Sequence, residues 1–481
     1  MDPQLKRLKG RVPAWWADAK LGIFVHWVPA SVPGFAPTDR EIGSLLASDE
    51  PDPLSTIPYS EWYENSLRFL DSPVARHHRA TYGDRPYAKF VDDFVAGLST
   101  WDPEDWARRF AATGARYVVL VTKHHDGWCL WPSQVPNPHR PGWFSERDLV
   151  GELADAVRAV GMRFGVYYSG GYDWTFDQTP IGSVGSGLAA IPGGDYPAYA
   201  DAQVRELIER YRPSVLWNDI AWPAGKAATE ALQRHYLDVV PDGVVNDRWM
   251  PTTGVVRAAG SPRLRRLVDA GARRSARKSG GLVPPPPPFF QHRTPEFTSF
   301  DEVQRTPWES VRGMDGGFGF NRTSNEADHL SRPDLLRSIA DIAATGGNLL
   351  LNVGPRGEDA TIPDSQLRRL DWLAEWAPVL RAALQGSRPW VTPRARTPEG
   401  VEVRFTAAGD QVRALCWAAD PHRAFPTSIT LPFRSTVRTT ARSIDGADLE
   451  VEAVAAGLLV RLPPDPDADV FALSFEHVTA R

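Results

Sequence analysis

Short apolar runs alternate with longer amphipathic segments over roughly the first 380 residues, a pattern that predicts repeated β/α units. The strand-like runs are Gly22 to Trp27, Tyr117 to Thr122, Arg163 to Tyr168, Val215 to Asn218, Gly243 to Asn246, Gly316 to Phe320 and Asn348 to Val353. They are nearly continuous in apolar residues, as expected of a parallel sheet covered on both faces. Helical patterns fall near Pro103 to Thr113, Asp148 to Val160, Tyr199 to Tyr211, Thr229 to Val239, Pro333 to Thr345 and Ser365 to Leu384. Nearly every strand ends in a polar or aromatic cluster: His26-Trp27, His124-His125-Asp126, Tyr167-Tyr168-Ser169, Asn218-Asp219, Asn246-Asp247-Arg248 and Asn352. If the sheet closes, these ends converge on one mouth, where parallel α/β barrels do their chemistry.

The predicted fold class is therefore α/β, a (β/α)8-like (TIM-type) barrel over residues 1–386, followed by an antiparallel β-sandwich over 387–481. After Gly386 the texture changes to alternating runs, Val401 to Thr406, Gln411 to Ala418, Thr427 to Leu431, Leu458 to Leu462 and Val470 to Phe475, with no helical pattern. Residues 251–288 stand apart as a basic, Pro-rich insertion: eight basic residues between Arg257 and Lys278 face the single acid Asp269, and Pro284 to Pro288 is unbroken proline. The expectation is a solvated loop ending in a polyproline rod.

Composition adds little until particular residues are considered. The hydrophobic fraction of 42%, the charged fraction of 23% and a net charge of -5 are ordinary, and give no reason to expect nucleic acid or a membrane as partner. The 18 Trp residues are informative, several standing beside acids or amides as in Glu61-Trp62, Asp173-Trp174 and Trp217-Asn218-Asp219, because indole faces stack on the C–H faces of sugars. Cys129 and Cys416 are the only cysteines, so no disulfide framework is expected. No signal-peptide pattern precedes Trp15-Trp16 and no run reaches membrane-spanning length, so a cytoplasmic location is expected. Nothing sets an oligomeric state.

Candidate chemistry centres on Lys123-His124-His125-Asp126-Gly127, placed where an apolar strand stops. Adjacent histidines suit a ligand-binding rim, a zinc site or a hydrogen-bonded structural cluster. Asp219, at the end of Val-Leu-Trp-Asn, is either the partner of a cation or a reactive carboxylate. A carboxylate nucleophile must stay ionised, which nearby donors such as Arg248 favour.

Six motifs in order carry a resemblance: Ala19 to Trp27 (AKLGIFVHW), Tyr59-Ser60-Glu61-Trp62-Tyr63, Lys123 to Gly127, Trp217-Asn218-Asp219, Asn246-Asp247-Arg248-Trp249, and Gly346 to Pro355 (GGNLLLNVGP). From about Trp15 to Trp390 the chain resembles the α-L-fucosidases of glycoside hydrolase family 29. The resemblance implies a retaining exo-glycosidase that removes terminal α-L-fucose through a covalent fucosyl-enzyme, with fucosylated oligosaccharides or glycoconjugates as partners and no cofactor or metal. It assigns Asp219 as nucleophile. It also implies a fucose pocket lined by His26, Trp62, His124, His125, Tyr168, Trp217, Arg248, Phe24, Glu61 and Phe318. In many members the acid/base is a glutamate in a Thr-x-Glu-aromatic stretch after the Asn-Asp-Arg-Trp motif; Thr294-Pro295-Glu296-Phe297 matches locally, although the insertion lengthens the spacing, and Glu296 is the assignment, ahead of Glu61 and Glu309. Two competing readings stay open: a metal-dependent barrel hydrolase using His26, His124, His125 and Asp126, and a non-catalytic sugar-binding relative.

Overall fold

The computed structural model describes residues 1–279, 286–420, 425–462 and 469–480. Seven parallel strands, β1 (Leu21–Val25), β2 (Tyr117–Lys123), β3 (Arg163–Ser169), β4 (Val215–Asp219), β5 (Val244–Val245), β6 (Trp308–Arg312) and β7 (Gly347–Val353), form one curled sheet in the order β5-β4-β3-β2-β1-β7-β6. Helices Pro103–Ala112, Leu149–Ala159 and Arg332–Ala344 start on capping side chains, Asp102, Asp148 and Ser331, which accept from backbone N–H groups of the first turn. Together with Tyr196–Tyr211, Lys226–Val239 and Asp364–Val379 they supply the β/α repetition of a TIM-like barrel.

Between β5 and β6 the wall is completed by residues 291–297. Gln291 N–H donates to Val245 O (2.9 Å), while Glu309 N–H donates to Arg293 O (2.8 Å) and Phe297 N–H to Val311 O (3.0 Å). This irregular segment occupies the eighth strand position, and Glu296 bridges to Val311 within it.

Register fixes which side chains face inward, since in-register neighbours of parallel strands share a face. Gly22 pairs with Tyr117 and Leu350, and Glu309 with Asn348, giving the bottom layer; Tyr167 pairs with Trp217 near the mouth. The bottom is plugged by polar groups: Tyr117 Oη donates to Glu309 Oε1, and the Trp16 and His292 rings lie 4.7 Å apart. Glu309 is fully buried there and is thereby removed from the mouth.

Two sequence expectations are corrected. The sixth strand is Trp308–Arg312, not Gly316 to Phe320, whose Gly316, Gly317 and Gly319 give no side chains to pack in a sheet. That run instead crosses the mouth as a loop, with Phe318 O accepting from Asn352 Nδ2. The basic insertion is not a solvated loop but helices Gly254–Ala259 and Pro262–Ser279. Arginine, alanine and leucine are good helix formers, and the helix is anchored: Arg273 and Arg277 each lie 2.9 Å from Asp49 Oδ1, and Asp269 Oδ1 accepts from Gly185 N (2.7 Å). Pro284 and Pro285 of the proline run lie outside the described residues.

The C-terminal strands β8 (Arg388–Arg396), β9 (Val401–Ala408), β10 (Gln411–Ala418), β11 (Ser428–Leu431), β12 (Phe433–Ser443), β13 (Val451–Val454), β14 (Gly457–Arg461) and β15 (Phe471–Ala480) make two antiparallel sheets, β12-β15-β10-β9-β8 and β11-β14-β13. Val403, Phe405, Leu431, Phe433, Val460 and Phe475 fill the space between them. Leu415, Trp417 and Val470 instead join the barrel's core, and Arg404 pairs with Asp341 of helix Arg332–Ala344.

Gly22 gives the sharpest test of the bottom layer, because a Cβ there would lie 2.4 Å from the Tyr117 ring. Gly22→Ala is expected to cost about 1–3 kcal/mol by overpacking, read as a lower urea midpoint with the far-UV spectrum retained. An unchanged midpoint would contradict this packing.

Candidate active site

Asp219 ends β4, and its backbone continues into Ile220 at φ 69°, a left-handed conformation that is strained for a β-branched residue. The turn aims Ile220 N–H back at Asp219 Oδ1 (2.8 Å). Arg248 Nη1 donates to the same oxygen at 2.9 Å, and Tyr167 Oη donates to Oδ2 at 2.8 Å. Three donors thus converge on one carboxylate and fix its orientation.

The other arm of the same guanidinium, Arg248 Nη2, donates to Glu296 Oε1 at 2.6 Å. Tyr59 Oη donates to Glu296 Oε2 at 3.2 Å. Arg248 is itself fixed by Thr294, whose hydroxyl and carbonyl accept from Nε (3.3 Å) and Nη2 (3.1 Å), and Thr294 is tied to Asp247 by N–H and hydroxyl donation at 3.0 and 2.7 Å. Burial lowers the tendency of Arg248 to stay charged, but Glu296 and Asp219 reverse that and raise its pKa overall. Two carboxylates on neighbouring nitrogens of one guanidinium are compatible with the separation of about 5–5.5 Å that a double displacement uses. The lengthened spacing in sequence is therefore no obstacle: the inserted helices leave and return on the same side of the mouth.

The floor is built from histidines held neutral. His26 Nδ1 lies 2.5 Å from Asn352 Oδ1, and because the Asn352 amide donates to Phe318 O, its oxygen accepts and Nδ1 carries the proton. Burial pushes the His26 pKa down to about 4 and those of His124 and His125 well below the ordinary value. His125 Nδ1 faces Ser169 Oγ at 2.6 Å; that hydroxyl donates to Tyr172 O, so the imidazole donates and Nε2 offers a lone pair 4.0 Å from Asp219 Oδ2. Among the described residues His125 Nε2, His124 Nδ1 and Trp217 Nε1 are buried without a hydrogen-bond partner. Buried polar atoms left unpaired are costly, and a hydroxyl-rich ligand satisfies them.

Aromatic rings wall this floor. Phe24 packs on His26 (4.6 Å) and Trp217 (5.3 Å), Phe318 stacks on His26 (5.2 Å), and Trp62 meets His125 edge-on (5.2 Å). Glu61 Oε2 accepts from Gly319 N (2.9 Å), and burial raises its pKa to about 8. A Cβ on Gly319 would lie 2.5 Å from Ser60 Oγ, so glycine is required for that approach.

The structure brings His26, Trp62, His124, His125, Trp217, Asp219, Arg248, Glu296, Phe24, Glu61 and Phe318 together, and it removes Tyr168. Tyr168 faces outward, its hydroxyl donating to Gln203 Oε1 (3.0 Å) and its ring lying under Lys123 Nζ (4.4 Å). Its neighbour Tyr167 takes the inward place. Pairing settles the choice: Tyr167 is in register with Trp217 of β4 and shares its inward face, and alternation along β3 turns Tyr168 to the opposite face. Lys123 and Asp126 also turn from the mouth, Lys123 to Asp173 (2.7 Å) and Asp126 to Tyr87 Oη (2.7 Å), so Asp126 does not join the histidines as a metal-ligand set. Tyr59, Tyr172 and Asn352 contribute as well: Asn352 is one of the strand-end residues expected at the mouth and Tyr59 lies within a quoted motif, though neither carries an assigned role in the sequence reading, and Tyr172 is absent from it.

Paired carboxylates beside a cluster of indoles and neutral imidazoles, at the strand ends of a barrel, are the equipment of a glycoside hydrolase. The chain belongs to the α-L-fucosidase family, glycoside hydrolase family 29, whose family model, described as Alpha-L-fucosidase, matches residues 1–380. It is 29% identical to an alpha-L-fucosidase of Branchiostoma floridae over 94% of this chain and 89% of the relative, and 28% identical to the tissue alpha-L-fucosidase of Bos taurus over 95% and 86%. Among solved structures, the alpha-fucosidase of Thermotoga maritima in complex with a mechanism-based inhibitor superposes with a TM-score of 0.80 at 35% identity, covering 99% of both chains.

Two outcomes test this geometry. Tyr167→Phe removes a hydrogen bond to a charged carboxylate, worth about 1.5–3 kcal/mol, and is expected to lower kcat/KM for an aryl α-L-fucoside about ten- to hundredfold, whereas Tyr168→Phe leaves it near wild type. Equal losses would contradict the assigned facing. Glu61 binds its proton more tightly folded than unfolded, so the associated stability is full below about 4.5 and is lost as pH rises through about 8. Glu61→Gln should flatten the fall in melting temperature between those values, measured by calorimetry across pH.

Proposed function

We propose that the chain is a retaining exo-α-L-fucosidase releasing terminal α-L-fucose from oligosaccharides or glycoconjugates. The observation that carries this reading is the single guanidinium of Arg248 holding both Asp219 and Glu296 beside a floor of unpaired ring nitrogens. A fucose ring has three free hydroxyls to meet His26, His124, His125 and Trp217, and an apolar C5-methyl to meet the aromatic wall. The Thermotoga maritima relative has been solved in complex with fucose, which supports the same occupant here.

In the first step Asp219 attacks the anomeric carbon while protonated Glu296 gives its proton to the glycosidic oxygen, so the C–O bond to the leaving alcohol breaks as the fucosyl–aspartate ester forms. In the second, the Glu296 carboxylate takes a proton from water, the water oxygen attacks the same carbon, and Asp219 departs as carboxylate. Two inversions retain the configuration. Arg248, within reach of both carboxyl groups, stays charged throughout: it supports Asp219 before the first step and Glu296 once the ester has formed. Neutral imidazoles suit this scheme, since protonated ones would compete with Arg248 for the nucleophile's charge.

Azide separates the two carboxylates. With Asp219→Gly, hydrolysis of an aryl α-L-fucoside is expected to fall about 10⁴-fold or more, and azide restores turnover through one displacement, giving the inverted β-fucosyl azide. With Glu296→Ala, the activated aryl substrate still forms the ester and azide gives the retained α-fucosyl azide. The same anomer from both variants would overturn the assignment. A non-catalytic sugar-binding protein would leave the aryl fucoside untouched even in wild type.

A further inference from the structure

The inserted helix Pro262–Ser279 follows β5 and therefore belongs to the catalytic face of the barrel. It lies across two other segments of that face: Asp49, after β1, pairs with Arg273 and Arg277, and Ser183 and Gly185, after β3, donate to Asp269. The segment it leans on reaches the pocket. A Cβ on Gly187 would lie 2.3 Å from Tyr172 Oη, and the Tyr172 ring packs on His125 (5.2 Å) and Trp62 (6.0 Å). The helix is thus the outer wall of the mouth, one layer removed from the sugar site.

Its inward side is satisfied by Asp49, Ser183 and Gly185, but its outward side is not. Arg263, Arg274 and Lys278 are exposed there around Leu264 and Leu267, the latter 70% exposed, and Arg266 is exposed on the flank that carries Arg273 and Arg277. No acid pairs with Arg263, Arg266 or Arg274 among the described residues, in a chain whose net charge is -5. Helical spacing sets Arg263, Leu267, Arg274 and Lys278 along one stripe. A folded, anchored helix that concentrates cations at the rim of an active site, against the sign of the whole molecule, raises the local concentration of anionic substrate.

We infer that this helix is a subsite for the aglycone and that it takes fucosylated glycans bearing anionic groups, sulfate esters or carboxylates, in preference to neutral ones. The inference rests on the fucosidase reading and narrows its substrate class. Arginine forks match both oxyanions in a bidentate way, and the exposed leucines offer apolar surface for the C–H faces of the intervening sugars. The fucose itself stays in the pocket of His26, His124 and Trp217, so the helix acts on residues beyond the scissile bond.

The test uses the full chain and one fucosyl oligosaccharide in neutral, sulfated and uronic-acid-bearing forms, beside a neutral aryl α-L-fucoside. In wild type at low salt, kcat/KM for the anionic forms is expected to exceed that for the neutral form by about tenfold or more, through KM, and to converge on it as ionic strength rises. A triple variant, Arg263→Gln, Arg266→Gln and Arg274→Gln, keeps helix-forming side chains and should abolish the difference while leaving the aryl fucoside rate unchanged. The corresponding lysine triple variant should restore most of it. Preference for only the sulfated or only the carboxylated form identifies which oxyanion the helix takes. No preference in wild type, or a preference that survives the glutamine triple variant, overturns the inference. So does binding of wild type to phosphatidylserine vesicles, lost in the variant, without any substrate preference, which would make the face a membrane surface. Because the aryl fucoside reports on the pocket alone, failure to hydrolyse it would instead bring down the fucosidase reading and this inference with it.

Discussion

One positive charge organises the mouth of this barrel. Arg248 is locked by Thr294, which is locked by Asp247, and through its two terminal nitrogens it fixes both Asp219 and Glu296. Guanidinium is suited to the task because it is planar, always charged and presents two parallel donors to separate oxyanions. A lysine would offer a point charge to one carboxylate at a time. Burial keeps the neighbouring imidazoles of His26, His124 and His125 neutral, so they add no positive charge beside the two carboxylates that Arg248 holds.

The fold serves that charge at several levels. Asp219 comes from β4 and Arg248 from the segment just after β5, so adjacent parallel strands deliver the pair. Glu296 comes from the irregular eighth position of the wall, where Phe297 at φ 47° and Pro295 prevent a regular strand and turn the carboxylate inward. Phe297 packs on Phe318 (5.5 Å), and Phe318 stacks on His26, so the segment bearing Glu296 and the histidine floor form one continuous aromatic contact. Strain at Ile220 and Phe297, of order 1–3 kcal/mol each, sits beside the carboxylates of Asp219 and Glu296 and is over-determined by the packed barrel below.

Much of this was legible in the chain. Apolar runs such as Tyr117 to Thr122 and Asn348 to Val353 mark strands because parallel strands are buried on both faces, and the polar residues that interrupt them mark the mouth. What periodicity could not give was facing within a run of aromatics: Tyr167 and Tyr168 are chemically alike, and only pairing with β4 decides which enters the barrel. The strand at Gly316 to Phe320 was misread because glycine and phenylalanine suit both a strand and a tight loop, whereas Trp308–Arg312 carries Glu309 and Arg312, polar residues that belong to a buried plug and an outer face. The basic insertion was read by its charge, which hid its helix propensity; the anchors that order it, Asp49 and Ser183, lie far away in sequence.

The central claim, that Asp219 forms the covalent intermediate while Arg248 stays paired with Glu296, is tested most directly by trapping. Incubation with a 2-fluoro-fucosyl fluoride, followed by proteolysis and mass spectrometry, should find the added 2-fluorofucosyl mass on the peptide containing Asp219, in wild type and at a slower rate in an Arg248→Lys variant. An adduct on Glu296 or on any other residue, or inactivation without a covalent adduct, would contradict the account.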